Sequence, residues 1–86
     1  MEIGKILSPI AQSALLTKRV RDHFVSIGQQ HLADAIVSVF VKNSYIKVRV
    51  IHTLARTEIR MYGEPISEIV AQALGSSESY SVRISV

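Results

Sequence analysis

Apolar side chains near the start of the chain recur with the period of an α-helix. From residue 10 onward they are spaced three to four residues apart or a multiple of that, at Ile10, Ala14, Val20, Phe24 and Ile27. Ser8 can cap free backbone N–H groups, and Pro9 suits the first helical position. Gly28 can take the left-handed conformation that ends a helix. The pattern predicts a helix over residues 9–27, with this apolar set facing the core.

The pattern then changes to one that is typical of β-strands. Residues 35–42 are rich in β-branched side chains, and residues 45–52 alternate between apolar and polar. Asn43 and Ser44 between them predict a hairpin with a two-residue turn. Such a turn sets the register, so we expect Lys42 to face Tyr45, Val41 to face Ile46, Phe40 to face Lys47, Val39 to face Val48 and Ser38 to face Arg49.

This register divides the side chains of the hairpin between two faces. The core face is predicted to carry Val37, Val39, Val41, Ile46, Val48 and Val50. The outer face is predicted to carry Ile36, Ser38, Phe40, Lys42, Tyr45, Lys47, Arg49 and Ile51. A shift of one residue would exchange the two sets, so burial of the valines favours this register.

A second helical region and a third strand complete the pattern. Residues 53–74 have one apolar side, formed by Leu54, Ile59, Tyr62, Ile66, Ile69, Val70, Ala73 and Leu74. Pro65 predicts a kink or break near residues 62–64, and Gly75 predicts the helix end. Residues 80–86 alternate strictly, with Arg83 outward and Tyr80, Val82, Ile84 and Val86 inward.

The order α-β-β-α-β predicts an α+β fold with two layers. We expect a two-layer α/β sandwich: a three-stranded sheet with the helices on one face, and residues 1–86 as a single domain. The order of the strands within the sheet stays open.

Composition narrows the class of protein. The chain has 86 residues, 48% of them hydrophobic, and no cysteine, so its core must pack without disulfides or thiolate zinc sites. The first residues do not have the pattern of a signal peptide, and no apolar run is long enough to span a membrane. We therefore expect a cytoplasmic protein with no membrane partner. The net charge of +3 favours polyanions only slightly.

Motifs of catalysis are absent from the sequence. Its four glycines are not spaced for a phosphate-binding loop or a dinucleotide fingerprint, and no His-Glu-x-x-His or Gly-x-Ser-x-Gly pattern occurs. We expect no enzyme activity, and we assign no catalytic, cofactor-binding or metal-binding residue. A site assembled across the fold from a serine, a histidine and Asp22 or Asp34 stays an open alternative.

Basic residues of the predicted sheet indicate a binding surface. The outer face would carry Lys42, Lys47, Arg49 and Arg83, with Phe40 and Tyr45 among them, and neither hairpin strand places an acidic residue there. Cations attract phosphates and aromatic rings stack on bases, so we predict a nucleic-acid-binding surface. The alternative is that these are ordinary outward residues of a half-exposed sheet.

Two further interpretations concern neighbouring residues. Arg56 and Arg60 are one helical turn apart and extend the set of candidate nucleic-acid contacts, although Glu58 and Glu64 favour a mutually paired helix face. An apolar strip on the outer face would predict instead a protein-interaction or homodimerisation module. That strip would consist of Ile36, Phe40, Tyr45 and Ile51.

Residues 33–86 resemble the DciA-like family, which was long a bacterial domain of unknown function. The resemblance is carried by the alternating strand at residues 43–50, by Leu54, Arg56, Glu58 and Ile59 at a helix start, by an Ile-containing helix that ends in Gly75, and by a closing strand. Members of that family have a KH-like domain, bind DNA and help to load or regulate the replicative helicase.

The resemblance implies a DNA-binding accessory protein of bacterial replication, with single- or double-stranded DNA and the replicative helicase as partners. This chain differs in two features from the DciA-like family and from true KH domains. The sequence ends at its last predicted strand without the basic tail of many relatives, and it lacks the Gly-x-x-Gly loop of true KH domains. An RNA-binding or ribosome-associated KH-like domain is therefore a further alternative.

Overall fold

A computed structural model describes residues 8–86 and shows the expected α+β class. The helices are α1 (Pro9–Ser26), α2 (Gln30–Ala35), α3 (Thr53–Ile59) and α4 (Gly63–Leu74), with a 3-10 turn at Arg60–Tyr62. The strands are β1 (Ile36–Lys42), β2 (Tyr45–Val50) and β3 (Ser81–Ser85). The short helix α2 was not predicted. In the described part of the chain, no helix combines the length and the apolar character needed to cross a membrane.

Helix α1 begins and ends as its local sequence predicts. The Ser8 hydroxyl accepts a hydrogen bond from the Ala11 N–H at 3.1 Å, and Pro9 is the first helical residue. After Ser26, Gly28 adopts a φ of +78°, and the Gln29 N–H donates to the Phe24 carbonyl at 2.8 Å. This geometry satisfies carbonyls that the helix end would otherwise leave free.

The packed side of α1 is not the one predicted. Leu16, Val20 and Phe24 are buried, whereas Ile10 is 83% exposed, and Ala14 and Ile27 are exposed too. The prediction was wrong for these three residues because two polar side chains, Ser13 and Thr17, lie on the side of α1 that faces β1. A pattern that counts only apolar positions does not detect such a contact.

The hairpin has the predicted turn and register. Asn43 and Ser44 form the turn, with Asn43 at a φ of +57°. Lys42 pairs with Tyr45, Phe40 with Lys47 and Ser38 with Arg49. The inward valines Val39, Val48 and Val50 and the inward Ile46 are buried, and Val41 is partly buried. Strand β2 ends at Val50, so Ile51 and His52 lie in a bend rather than in the strand.

A β-bulge at the start of β1 reverses two predicted orientations. Ile36 pairs with Val50 while Ser38 pairs with Arg49, which leaves Val37 without an opposite residue. The extra residue changes the face of the sheet on which the neighbouring side chains lie. Ile36, predicted to be outward, is therefore only 3% exposed, and Val37, predicted to be inward, is 50% exposed.

The region after the hairpin breaks near the predicted position. Helix α3 and helix α4 are separated by the 3-10 turn, and Gly75 ends α4 with a φ of +66°. Within α3 the buried residues are Ala55 and Ile59, one helical turn apart. Leu54 was predicted to face inward, but it is 75% exposed because it lies on another side of this short helix.

The strands lie in the order β1-β2-β3, with β1 antiparallel and β3 parallel to β2. The parallel pair is connected through α3 and α4. Buried side chains of the helices pack against the inner face of the sheet and form one core with Val39, Ile46 and Val48; they include Leu16, Val20, Phe24, Ile59, Ile66 and Val70. Val82 and Ile84 of β3 are only partly buried. The two-layer arrangement leaves the outer face of the sheet open for a site.

Candidate nucleic-acid interface

Pairing of the three strands brings the predicted sheet cations together on the outer face. Lys47 lies in the middle of this face, opposite Phe40 of β1 and opposite Arg83 of β3. Along β2, Tyr45 lies two residues before Lys47, and Arg49 lies two residues after it. Lys42 of β1 faces Tyr45. We call this surface the basic face, and it consists of Phe40, Lys42, Tyr45, Lys47, Arg49 and Arg83.

Standard strand spacings give the size of the basic face. Neighbouring strands are about 4.8 Å apart, and residues two apart along a strand are separated by about 6.6 Å. The backbone positions of Lys42, Lys47, Arg49 and Arg83 therefore lie within an area of roughly 10 by 13 Å. Apart from Phe40 and Tyr45, the paired strand residues beside them on this face are small and polar, namely Ser38, Ser81 and Ser85. Four cations in this area produce a concentrated positive potential.

Tyr45 holds two of these cations in place. The guanidinium carbon of Arg83 lies 4.4 Å from the centre of the Tyr45 ring, and the Lys47 Nζ lies 5.9 Å from it. Both distances are within the range of cation–π attraction. Because its ring already contacts two cations, Tyr45 orients them. Phe40, which is 36% exposed, is then the aromatic side chain best placed to stack on a base.

The carboxylates that form ion pairs among the described residues do so with side chains outside the basic face. The ion pairs join Lys18 to Asp22 at 2.8 Å and Arg21 to Asp34 at 4.0 Å. In residues 8–86, none of the four cations of the basic face has a carboxylate oxygen within 4.0 Å. Their charge is therefore not neutralised by the described part of the protein, which favours the attraction of a polyanion.

Arg56 and Arg60 do not join the basic face. They lie on α3 and on the 3-10 turn, in the layer whose buried residues Ala55 and Ile59 pack against the inner side of the sheet. Both arginines are exposed, and Glu58 contacts the His31 ring at 3.2 Å instead of pairing with either of them. The structure therefore divides the predicted contacts into two groups on different layers.

The outer apolar strip is interrupted. Ile36 is buried, so it cannot contribute to a surface for a second protein. A different feature, which the sequence does not predict, is an open groove of about 840 Å³ between α1 and β1. Exposed apolar residues that line it include Ile10, Val25, Val37 and Phe40. Only the bulge exposes Val37, and only the orientation of α1 exposes Ile10, so no local pattern could have indicated this groove.

Both aspartates considered for a site assembled across the fold, and two of the histidines, have structural contacts. His52 caps α3, His31 contacts Glu58, and Asp22 and Asp34 form ion pairs. Among residues 8–86, no three or more His, Asp or Glu side chains are grouped closely enough to hold a metal ion. The arrangement with a clear chemical consequence is the basic face, which can bind anions.

Comparisons of the chain with family models, with curated proteins and with solved structures find no match. The resemblance to the DciA-like family therefore stays a prediction, and the site has to be interpreted from its own geometry.

Proposed function

We propose that this protein is a nucleic-acid-binding accessory protein that holds phosphate groups on its basic face. The observation that carries the proposal is the cluster of Lys42, Lys47, Arg49 and Arg83 on one open surface, without a carboxylate contact among residues 8–86. Cationic side chains bind the phosphate backbone of any sequence, so affinity comes from charge rather than from recognition of particular bases.

The shape of the basic face favours extended strands over the grooves of a duplex. A sheet face is broad, whereas readout of the major groove requires a helix or a narrow two-stranded ribbon. A single strand can lie across the sheet, with phosphates near the cations and a base stacked on Phe40. Single-stranded nucleic acid is therefore the ligand that this geometry supports best.

Within the same proposal, the role follows the DciA-like resemblance. The protein would act in the bacterial cytoplasm and assist or regulate the replicative DNA helicase through a KH-like domain. Support for this role consists of the residues that resemble the family, chiefly Leu54, Arg56, Glu58 and Gly75. The basic face is compatible with that role because a helicase loader works next to exposed single strands.

Fluorescence anisotropy with labelled single-stranded DNA, duplex DNA and single-stranded RNA tests the proposal. If four phosphates are neutralised on a single strand, log affinity should fall with log salt at a slope of about −3. Tighter binding to RNA than to DNA would favour the RNA-binding or ribosome-associated alternative. Absence of binding at low salt, or binding that does not depend on salt, would contradict the proposed function.

A pair of double variants separates the basic face from general charge. Lys47→Glu with Arg49→Glu should lower affinity by about tenfold or more, because both phosphate contacts become repulsive. Arg56→Glu with Arg60→Glu changes the net charge equally on the helical layer, and we expect about threefold loss or less. Circular dichroism checks that both variants are folded. Equal losses would show that position on the sheet is irrelevant and would refute the basic face as the site.

The same samples distinguish the protein-interaction alternative. Sedimentation at several concentrations detects a dimer, and Phe40→Glu tests whether that dimer forms through the outer face. If Phe40→Glu converted such a dimer to a monomer, and no nucleic acid were bound, the protein-interaction hypothesis would replace the one proposed.

A further inference from the structure

The two edges of the sheet differ in whether their outward backbone N–H and C=O groups have hydrogen-bond partners. At the β1 edge, α1 supplies two side-chain partners to Val39. The Ser13 hydroxyl donates to the Val39 carbonyl at 2.8 Å, and the Thr17 hydroxyl accepts from the Val39 N–H at 2.9 Å. The bulge at Val37 further distorts this edge. These contacts prevent an added strand from pairing with β1 at Val39, in the middle of this edge.

Strand β3 forms the opposite edge and has none of these protections. It pairs regularly with β2 along its whole length, from Ser81 to Ser85, and contains no proline and no bulge. Among residues 8–86, no backbone hydrogen bond connects Ser81–Ser85 to anything other than the sheet. A regular edge of this kind presents free N–H and C=O groups on which another strand can pair.

The side chains on the inner side of β3, and that of Tyr80 directly before the strand, also lack complete cover. Tyr80, Val82 and Ile84 pack against the core but are only partly buried, whereas Ile46 and Val48 of the neighbouring strand are fully buried. A further strand beside β3, with its own helical layer below, would cover these three side chains. The edge therefore offers both hydrogen bonds and apolar area to an occupant.

We propose that β3 pairs antiparallel with β3 of a second copy of this chain, with Val82 of one copy opposite Val82 of the other. On the inner side this register places Tyr80 opposite Ile84, and an aromatic side chain beside a β-branched one is a favourable cross-strand pair. On the outer side it places Arg83 opposite Ser81. A register centred on Arg83 would instead oppose two identical charges, which is destabilising.

The dimer would join the two basic faces. A two-fold axis perpendicular to the sheet keeps the outer faces of both copies on the same side, and two sheets of three strands become one continuous sheet. Because α1 blocks the β1 edge of each copy, pairing would stop at two copies. Such a dimer would present a positive surface about twice as wide to a nucleic acid, although its formation does not depend on nucleic-acid binding.

Disulfide cross-linking tests the register directly, because the chain contains no cysteine. Opposed residues of antiparallel strands have Cα atoms about 4.5–5.5 Å apart, which suits a disulfide. Val82→Cys should therefore cross-link efficiently under mild oxidation. Val37→Cys lies on β1, away from the proposed contact, and is the control: it should form no cross-link although its side chain is more exposed than that of Val82. No cross-link in the folded Val82→Cys variant, or preferential cross-linking of Arg83→Cys or Ile84→Cys, would overturn the proposal.

A charge variant tests the same dimer without a change in the core. Ser81→Glu would place a carboxylate opposite Arg83 of the other copy, twice by symmetry. Sedimentation equilibrium at low salt should then show a dimer about 2- to 30-fold tighter, and Ser81→Arg a weaker one. Arg19→Ala on α1 changes the net charge as Ser81→Glu does and should leave the dissociation constant unchanged. A protein that stays monomeric at all concentrations, with or without Ser81→Glu, would refute the dimer.

Discussion

His52 shows how a single side chain separates two elements. Its Nδ1 atom accepts a hydrogen bond from the Ala55 N–H at 3.1 Å, so the imidazole ring caps the start of α3. The alternation of residues 45–52 predicts His52 at the end of a strand and does not indicate this role. Serine, threonine, asparagine and aspartate are the usual caps, so a histidine gives a weak signal.

Removal of this cap should weaken the fold. We expect His52→Ala to lower the free energy of unfolding by about 1 kcal/mol, because one N–H of the first turn of α3 loses its acceptor. His52→Asn supplies a side-chain oxygen in a similar position and should retain most of the stability. Urea denaturation at neutral pH measures both variants. If His52→Ala unfolded at the same urea concentration as the wild type, the hydrogen bond would contribute nothing to the free energy of unfolding.

Phe40 is the aromatic residue on which stacking would depend. Since Tyr45 is engaged by Arg83 and Lys47, we expect Phe40→Ala to lower affinity for a single strand by about 1–3 kcal/mol, with a smaller loss for duplex DNA. Val37→Ala removes an exposed apolar side chain from the same strand, outside the basic face, and serves as the control. Equal losses for single strands and duplex would argue against stacking.

Residue orientations on the hairpin were predictable except at the bulge. Lys42, Lys47 and Arg49 are predicted on the outer face because the two-residue turn fixes the register and successive side chains of a strand alternate between the two faces. Ile36 and Val37 were placed on the wrong sides, since both are apolar and β-branched and an inserted residue leaves no mark in such a run.

At the scale of elements, α1 has a second task besides covering the core. Ser13 and Thr17, one turn apart, hold the backbone of β1 at Val39. The Thr17 hydroxyl also donates to the Ser13 carbonyl at 2.7 Å, which orients its oxygen towards β1. The polar side of a helix thus protects a sheet edge, and the same contacts set which side of α1 is buried.

Loss of the Thr17 hydroxyl should be costly. In Thr17→Val the shape is nearly preserved, but the Val39 N–H loses its acceptor in a partly buried position, so we expect a loss of about 1–3 kcal/mol. Thr17→Ser keeps the hydroxyl and should cost less. Hydrogen exchange of the Val39 amide, together with urea denaturation, measures the effect. Unchanged protection of this amide in Thr17→Val would show that the bond is dispensable.

The bounds of the long helices were predicted more successfully than those of the short ones. Helix α1 and the break between α3 and α4 follow from strong local signals, namely Ser8-Pro9, Gly28 and Pro65. Helix α2 has six residues, less than two turns, so it contains too few positions for a helical period to be recognised. The same brevity explains why Leu54 was assigned to the wrong side of α3.

For the molecule as a whole, the two-layer fold places two groups of basic residues on opposite layers. Lys47 and Arg83 meet across neighbouring strands although they are far apart in sequence, while Arg56 and Arg60 are held on the opposite layer. The comparison of the two double glutamate variants depends on this separation. The sheet also has one covered edge and one open edge, and this asymmetry is what limits the proposed assembly to two copies.

The sequence by itself determined the class of fold, the hairpin register and the outward direction of Lys42, Lys47, Arg49 and Arg83. These features depend on a local turn and on alternation along single strands, which act over a few residues. Only the tertiary structure decided that β3 lies parallel to β2, which side of α1 is buried, and that Arg83 contacts Tyr45. Those outcomes come from packing between segments distant along the chain, and no local pattern encodes which distant surfaces will meet.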